Sequence, residues 1–197
     1  MVLVWPESIV PSTMNWQLMS NSQTFTSVFT GSAQTVRFPG SRWKCVLSFN
    51  NLTDEKSRLL EVILAQLDGE SGRVKISNWL RPGLIGKGSP IISEENQTGT
   101  MLQTKGWIAN SIILRKGDYI TVSNELKIIT ENVISDNDGN ANIPISPMLR
   151  NSPSINEKIE TVKPFGIFKL TSNDQGNFQY RPGVFSSVSI TFEEALY

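Results

Sequence analysis

The chain has 197 residues, and its 18 Lys and Arg balance its 18 Asp and Glu to a formal net charge of zero. A neutral chain lacks the positive surface expected for specific nucleic-acid binding or attachment to an anionic membrane, and it repels copies of itself only weakly. There is no histidine and only one cysteine, Cys45. This removes the commonest general base and the commonest zinc ligand, and it excludes an intrachain disulfide.

The first predicted feature is an extended N-terminal arm, residues 1–22, which carries Pro6 and Pro11. The arm is too short to span a bilayer and lacks the basic start of a secretory signal. After it, the stretch TFTSVF (24–29) alternates aromatic and polar residues, and this period of two predicts a strand.

A β-hairpin is predicted next, joining residues 34–38 to residues 43–49 through a tight turn at Pro39-Gly40. Its second strand has apolar residues at alternate positions, which predicts a buried face made of Trp43, Cys45, Leu47 and Phe49.

The one strong helix signal lies at 53–68. Thr53 is the predicted N-cap, and Gly69 is the residue expected to end the helix in a left-handed conformation. The apolar residues recur at helical spacing and predict one stripe that packs on a sheet: Leu60, Ile63, Leu64 and Leu67.

The rest of the chain predicts short strands separated by turns. A strand is expected at 72–83 and a flexible loop at 83–89. From Ile112 onwards, turn signals recur often enough to predict a compact series of β-hairpins. A connecting loop at 150–164 and a final strand at 186–195 complete the prediction.

The stretch ISDNDGNANI (134–143) resembles the beginning of a calcium loop, because oxygen-bearing side chains alternate at Asp136, Asp138 and Asn140. A calcium loop of the helix-loop-helix type needs glycine at its sixth position and glutamate at its twelfth. Here the glycine, Gly139, is fourth and Pro147 is twelfth, and the flanks have strand character. The stretch therefore predicts a turn between two strands and no metal site.

No catalytic pattern stands out. The adjacent carboxylates Glu94-Glu95 and Glu193-Glu194 point to opposite faces if extended, so each pair is expected to lie on a solvated edge. The glycines and lysine of GLIGKGS (83–89) lack the order of a phosphate-binding loop. We predict that the protein is not an enzyme and has no cofactor.

Five tryptophans are the remaining candidates for a binding surface. Trp43 and Trp79 fall in predicted strands and are expected in the core. Trp5, Trp16 and Trp107 fall near predicted loops, and tryptophan is enriched at protein interfaces. We predict that these three side chains contact a neighbouring subunit.

Several local patterns, taken in order, resemble a family of tail structural proteins of tailed phages, the distal tail proteins. The resemblance covers nearly the whole chain and rests on PSTMNWQL (11–18), QTFTS (23–27), QTVRFPGSRW (34–43), QTGTMLQTKGW (97–107), LRKGDYI (114–120) and DGNANIPISPMLR (138–150).

The resemblance implies a mainly β protein in two parts. A tail-tube-like β-sandwich with the one flanking helix would form the ring from residues 1–86 and 163–197. A small barrel of the oligonucleotide/oligosaccharide-binding type would be inserted at 87–162.

The resemblance also implies a role in the virion tail, following synthesis in the host cytoplasm. The protein would form a homo-oligomeric ring, with six copies expected, that joins the tail tube to the tail tip or baseplate and contacts the tube, the tip and receptor-binding or fibre proteins. DNA would pass through the ring without specific binding, and no membrane is involved. The alternatives are a tail-tube protein and a carbohydrate-binding module; single-stranded nucleic acid is disfavoured because residues 87–162 lack interleaved basic and aromatic side chains.

Overall fold

The fold is described by a computed structural model for residues 2–180 and 186–196. Within these ranges the protein is mainly β and has one α-helix, as the sequence predicts. The elements are β1 (Val2–Val4), β2 (Thr13–Met19), β3 (Ser22–Thr26), β4 (Ala33–Arg37), β5 (Arg42–Leu52), α1 (Asp54–Leu67), β6 (Arg73–Ser77), β7 (Gly88–Ile92), β8 (Gly99–Trp107), β9 (Ile112–Leu114), β10 (Tyr119–Val122), β11 (Glu125–Ile129), β12 (Val133–Ile134), β13 (Ala141–Leu149), β14 (Phe165–Leu170) and β15 (Ser186–Glu194).

A six-stranded sheet is built from both ends of the chain, in the order β1-β6-β14-β15-β5-β2. The β1–β6 pair is parallel and the other pairs are antiparallel. The final strand, β15, places Val188, Ile190 and Phe192 on one buried face, as its alternating sequence predicts.

Helix α1 packs its apolar stripe against this sheet. Leu60, Ile63 and Leu67 are buried in the same core as the sheet residues. Thr53 occupies the N-cap position, as predicted, but its side chain makes no capping hydrogen bond. The first left-handed residue after the helix is Asp68, and Gly69, the residue predicted for this conformation, follows it and also has a positive φ.

Among the described residues no helix is long and apolar enough to cross a membrane.

The arm predicted at residues 1–22 is extended, as expected, but it is part of the six-stranded sheet, because β1 and β2 both belong to that sheet. β1 pairs with β6, and β2 pairs along its whole length with β5. Between these strands Ile9 is fully buried in the core. The fixed φ of proline is compatible with an extended chain, so Pro6 and Pro11 do not prevent β1 and β2 from forming. The strands that pair with β1 and β2 are distant in the sequence, and the sequence alone does not identify them.

The predicted hairpin between residues 34–38 and 43–49 is also wrong. β4 pairs with β3, and these two strands form a separate two-stranded sheet. β5 pairs instead with β2 and β15. The strand expected at 24–29 ends at Thr26, and a turn follows it.

A second, five-stranded sheet has the order β10-β11-β13-β8-β7 and uses only residues between Gly88 and Leu149. Its two outer strands both bond to the segment 156–160. Ile92 N donates to Glu157 O at 2.9 Å on the β7 side, and Thr121 N donates to Glu160 O at 2.9 Å on the β10 side. The segment 150–164 thus contains no regular strand, as expected, yet it closes the sheet into a small barrel.

The barrel is inserted between two neighbouring strands of the first sheet. The chain leaves that sheet after β6, forms the barrel, and returns as β14, which lies beside β6. The barrel has its own core, which includes Leu102, Ile120 and Ile143. Leu126 of β11 points the other way and joins the core of the six-stranded sheet.

Candidate functional site

The structure places Trp5 within the core of the six-stranded sheet. Its ring stacks on Phe49 with 5.8 Å between the ring centroids, and its Nε1 donates to Ile9 O at 2.8 Å. Only 6% of Trp5 is exposed. Little of this side chain is therefore left for contact with a neighbouring subunit.

Trp107 and Trp16 occupy two different environments. Trp107 is 5% exposed in the barrel core, and its Nε1 donates to Thr104 Oγ1 at 2.7 Å. Trp16 lies on the outermost strand β2, is only half-buried, and meets Phe168 edge-to-face at 5.6 Å. Of the three predicted interface tryptophans, only Trp16 lies at an open edge of the molecule.

The other two tryptophans do not complete an aromatic platform for sugars. Trp43 is buried as predicted. Trp79 was expected within a strand at 72–83, but β6 ends at Ser77 and Trp79 lies half-buried in the turn that follows, packed against the sheet core. A platform needs aromatic faces that a ligand reaches. The buried rings of Trp5, Trp43 and Trp107 are not available for this.

The stretch 134–143 forms a turn around Asp136. Its Oδ1 accepts hydrogen bonds from Asp138 N at 2.9 Å and Asn140 N at 2.7 Å, and its Oδ2 accepts one from Asn140 Nδ2 at 3.1 Å. These donors lower the pKa of Asp136, with the backbone bond from Asn140 as the largest cause. Both oxygens are thus engaged within the turn, and the described part of the chain holds no group of three or more potential metal ligands.

The sequence predicts that this turn joins two strands of a hairpin, but the strands on its two sides do not pair with each other. The strand before it, β12, pairs with β9, whereas the strand after it, β13, pairs with β8. Gly139 has a φ of +75°, and Trp107 N donates to Gly139 O at 3.0 Å. The turn therefore packs against the end of β8.

The carboxylate pair Glu193-Glu194 is not a solvated edge, in contrast to the prediction. The two side chains point to opposite faces, as extended neighbours must. Glu193 bonds Arg42 at 3.1 Å and Lys169 at 3.2 Å on the outer face of the sheet. Glu194 is 1% exposed and faces the barrel.

Glu194 belongs to a buried group of four charges where the sheet meets the barrel. Arg150 lies 3.0 Å from Glu194 and 3.4 Å from Glu125, measured between side-chain N and O atoms, and Glu125 bonds Lys127. Glu194 Oε1 also accepts from Leu126 N at 2.9 Å. We call Glu125, Lys127, Arg150 and Glu194 the junction charges.

The junction charges consist of two carboxylates and two cations, so their formal charges cancel. Burial lowers the pKa of Lys127, while the carboxylate of Glu125 beside it acts in the opposite direction. Lys127 Nζ also donates to Met148 O at 2.9 Å. Because each charge has an oppositely charged partner, the group can hold the two parts together.

The most exposed apolar surface lies on the β3–β4 hairpin, residues 22–38. Its two strands pair only with each other, and none of its residues belongs to either core. At the tip, Val28 is 90% exposed and Phe29 is 95% exposed. A two-stranded hairpin without a packing partner is marginally stable in water, so this surface is suited to contact with another molecule.

The hairpin has two unlike faces. Cross-strand pairs place Phe25 and Val36 on one face, together with Gln23 and Gln34. The other face is polar and includes Thr24, whose hydroxyl lies 2.8 Å from that of Thr35. On the face that carries them, Phe25 is 52% exposed and Val36 is half-buried.

The distribution of charged residues in the sequence marks this surface, although the spacing of apolar residues does not. No Asp, Glu, Lys or Arg occurs between Glu7 and Arg37, although charged residues make up 18% of the chain. Exposed strands are normally protected by charges or proline, so an uncharged run that contains exposed strands marks an association surface.

Comparison with known proteins adds no assignment. No protein-family model matches the chain, and no curated protein sequence matches it.

Proposed function

We propose that this chain is a structural subunit of a phage tail, which associates with copies of itself into a ring at the distal end of the tail tube. One observation carries this proposal: the β3–β4 hairpin has no charged residue from Ser22 to Val36, is apolar at its tip, and has no partner among the described residues of its own chain. Such a surface favours assembly because burying a large apolar side chain contributes about 1.5–3 kcal/mol.

The balance of charge supports the same proposal. Subunits that pack around a shared axis must approach copies of identical charge, and a net charge of zero keeps their mutual repulsion small. The resemblance to distal tail proteins supplies the placement in a tail, the expected number of six copies, and the tube and tip proteins as partners. In this proposal the inserted barrel is a peripheral module that contacts other tail proteins.

A tail-tube protein is the second candidate, because the same exposed hairpin would also serve subunits that stack into a tube. Electron microscopy of the purified protein separates the two. Closed rings that do not stack support the distal tail proposal, and long tubes support the tail-tube alternative. A carbohydrate-binding role is not carried forward, since the barrel tryptophan Trp107 is buried.

The hairpin is tested by the double variant Val28→Ser/Phe29→Ser. We expect the wild type to form closed rings, and the variant to have the mass of a single chain in light scattering. The matched control is Leu80→Ser, which replaces another exposed apolar residue, 77% exposed, outside the hairpin. A wild type that remains a single chain at all concentrations contradicts the proposal.

A further inference from the structure

Glu194 connects the six-stranded sheet to the barrel through the backbone of one residue, Leu126. This residue lies in β11, yet the pairing of β11 with β13 begins only at Ile128. Leu126 N donates instead to Glu194 Oε1 at 2.9 Å, and Leu126 O accepts from Trp43 Nε1 at 2.9 Å. Side chains of the sheet therefore take the place of a neighbouring strand at this point of the barrel.

Four donor nitrogens surround the carboxylate of Glu194. Its Oε1 lies beside Leu126 N and 3.0 Å from Arg150 Nη2. Its Oε2 accepts from Arg150 Nη1 at 3.2 Å and from Trp43 N at 3.3 Å. An ionised carboxylate is an acceptor only and suits all four donors, whereas a protonated carboxyl points its own O–H at one of them. Uptake of one proton therefore breaks part of this arrangement, and it removes one of the two anions that neutralise Arg150.

Of the four junction charges, Glu194 is the one that belongs to the sheet. Glu125, Lys127 and Arg150 all lie in the inserted barrel, where Glu125 pairs with the two cations. A proton on Glu125 therefore weakens contacts inside the barrel. A proton on Glu194 weakens the contact between the barrel and the sheet.

The carboxylates are the groups at this boundary that lose their charge in acid. Lys127 and Arg150 are cations that acid leaves protonated. Burial raises the pKa of Tyr119, which packs against the sheet core from the barrel side, so this phenol stays neutral when the solution is acidified. Acid therefore acts on the contact between the two parts through Glu194.

Two chain segments lie side by side where the inserted barrel begins and ends. Leu84 N, in the segment after β6, donates to Thr161 O, in the segment before β14, at 2.7 Å. Close to this pair, Phe165 N donates to Thr121 Oγ1 at 2.6 Å. These bonds do not involve Glu194, so the two segments can serve as the pivot about which the barrel turns.

We infer that Glu194 is a proton-sensitive latch, which holds the barrel against the six-stranded sheet while it is ionised and lets the barrel turn away when it is protonated. The barrel has its own hydrophobic core, so both parts stay folded when the latch opens. The proton shifts the balance between a closed and an open arrangement because it weakens the closed one. The latch is a property of a single chain and does not depend on the formation of a ring.

The variant Glu194→Gln tests the latch at neutral pH, because an uncharged amide replaces the carboxylate. Spin labels on Asn15→Cys in the sheet and Asp138→Cys in the barrel report the distance between the two parts. Both positions are exposed, and the native Cys45 is fully buried and is not labelled. Dilution with unlabelled chain restricts the measurement to distances within one chain. We expect one narrow distance distribution in the wild type and an added, longer and broader population in Glu194→Gln.

Glu193→Gln is the matched control, since it neutralises the neighbouring carboxylate on the opposite face of β15. Its partners Arg42 and Lys169 both belong to the sheet, so no bond between the two parts is lost. We expect the wild-type distance distribution in this variant. An unchanged distribution in Glu194→Gln overturns the inference, and so does an equal change in both variants.

Acidification of the labelled chain that retains Glu194 gives a second test, which holds even if Glu194→Gln fails to fold. We expect the longer distance to appear at a higher pH than the loss of the far-ultraviolet circular dichroism signal, because the latch opens before the two parts unfold. A single transition, in which distance and circular dichroism change together, would show that the parts separate only by unfolding. That result overturns the inference.

Discussion

The junction charges and the β3–β4 hairpin differ in whether their side chains have partners within the chain. At the junction, four ionisable side chains lie out of water, and each is paired within the chain. On the hairpin, the run from Ser22 to Val36 has no charge at all, and its largest apolar side chains face solvent. The charges of the junction are paired internally, and the hairpin has no strand partner within the described chain.

This difference indicates which contacts are complete within a single chain. Buried ion pairs cost desolvation energy, and separating their members would leave uncompensated buried charges, so the junction pairs oppose separation of the sheet from the barrel. Trp43 shares this role, since its Nε1 donates to Leu126 O at 2.9 Å across the same boundary. The β3–β4 hairpin has no comparable ion pair to the rest of the described chain, so its position is best fixed by an external partner.

The largest expected effect comes from breaking the junction. Arg150→Met removes the cation that lies between Glu125 and Glu194 and leaves two buried carboxylates facing each other. We expect a loss of about 3–5 kcal/mol in the free energy of unfolding, because an uncompensated buried charge is strongly destabilising. Chemical denaturation followed by tryptophan fluorescence measures this loss.

The control is Arg58→Met, which removes the exposed i,i+4 pair with Asp54 on α1. Exposed pairs contribute about 0–1 kcal/mol. If Arg150→Met costs no more than Arg58→Met, the junction charges do not hold the sheet and the barrel together.

A smaller effect is expected at the turn that packs on β8. Gly139 and Gly86 have nearly the same φ, +75° and +74°. A Cβ on Gly139 would lie 2.4 Å from Trp107 O, whereas one on Gly86 would meet nothing within 4 Å. Both valine variants carry backbone strain, but only Gly139→Val adds a clash with the backbone.

We expect Gly139→Val to destabilise the protein by about 1–3 kcal/mol more than Gly86→Val, since overpacking against a fixed backbone group costs about that much. Thermal unfolding of the two variants side by side measures the difference. Equal losses in the two variants would show that the turn does not pack on Trp107, and the barrel end would then resemble the hairpin in its lack of internal constraint.

Elements defined by local pattern could be predicted from the sequence, and elements defined by distant pairing could not. Helix α1 depends on residues three and four apart, and β15 on alternate residues, so both were predicted at almost their observed bounds. The partner of β2 is β5, which lies on the far side of the hairpin in the sequence. A period of two carries no information on which strand is the partner, so the pairing of the extended arm could not be predicted and the hairpin at 34–49 was predicted wrongly.

The candidate site was missed for a related reason. Burial of Trp5 and Trp107 depends on elements far away in the chain, so their position near predicted loops was a poor guide to exposure. Glu194 looked like part of a solvated edge because its partner Arg150 is distant in sequence. The hairpin surface could have been recognised from the absence of charge between Glu7 and Arg37, which requires no knowledge of pairing.

The smallest expected effect provides the sharpest test of the comparison between junction and hairpin. Phe25 is 52% exposed on the hairpin, and Phe192 is fully buried under the six-stranded sheet. Phe192→Ala is expected to cost about 3–5 kcal/mol, as for other large-to-small core substitutions. Phe25→Ala is expected to change the unfolding free energy of dilute, unassembled protein by less than about 0.5 kcal/mol, as for surface positions. A loss at Phe25 close to that at Phe192 would mean that the hairpin already has a partner within its own chain, and its exposed face would then no longer argue for a second copy.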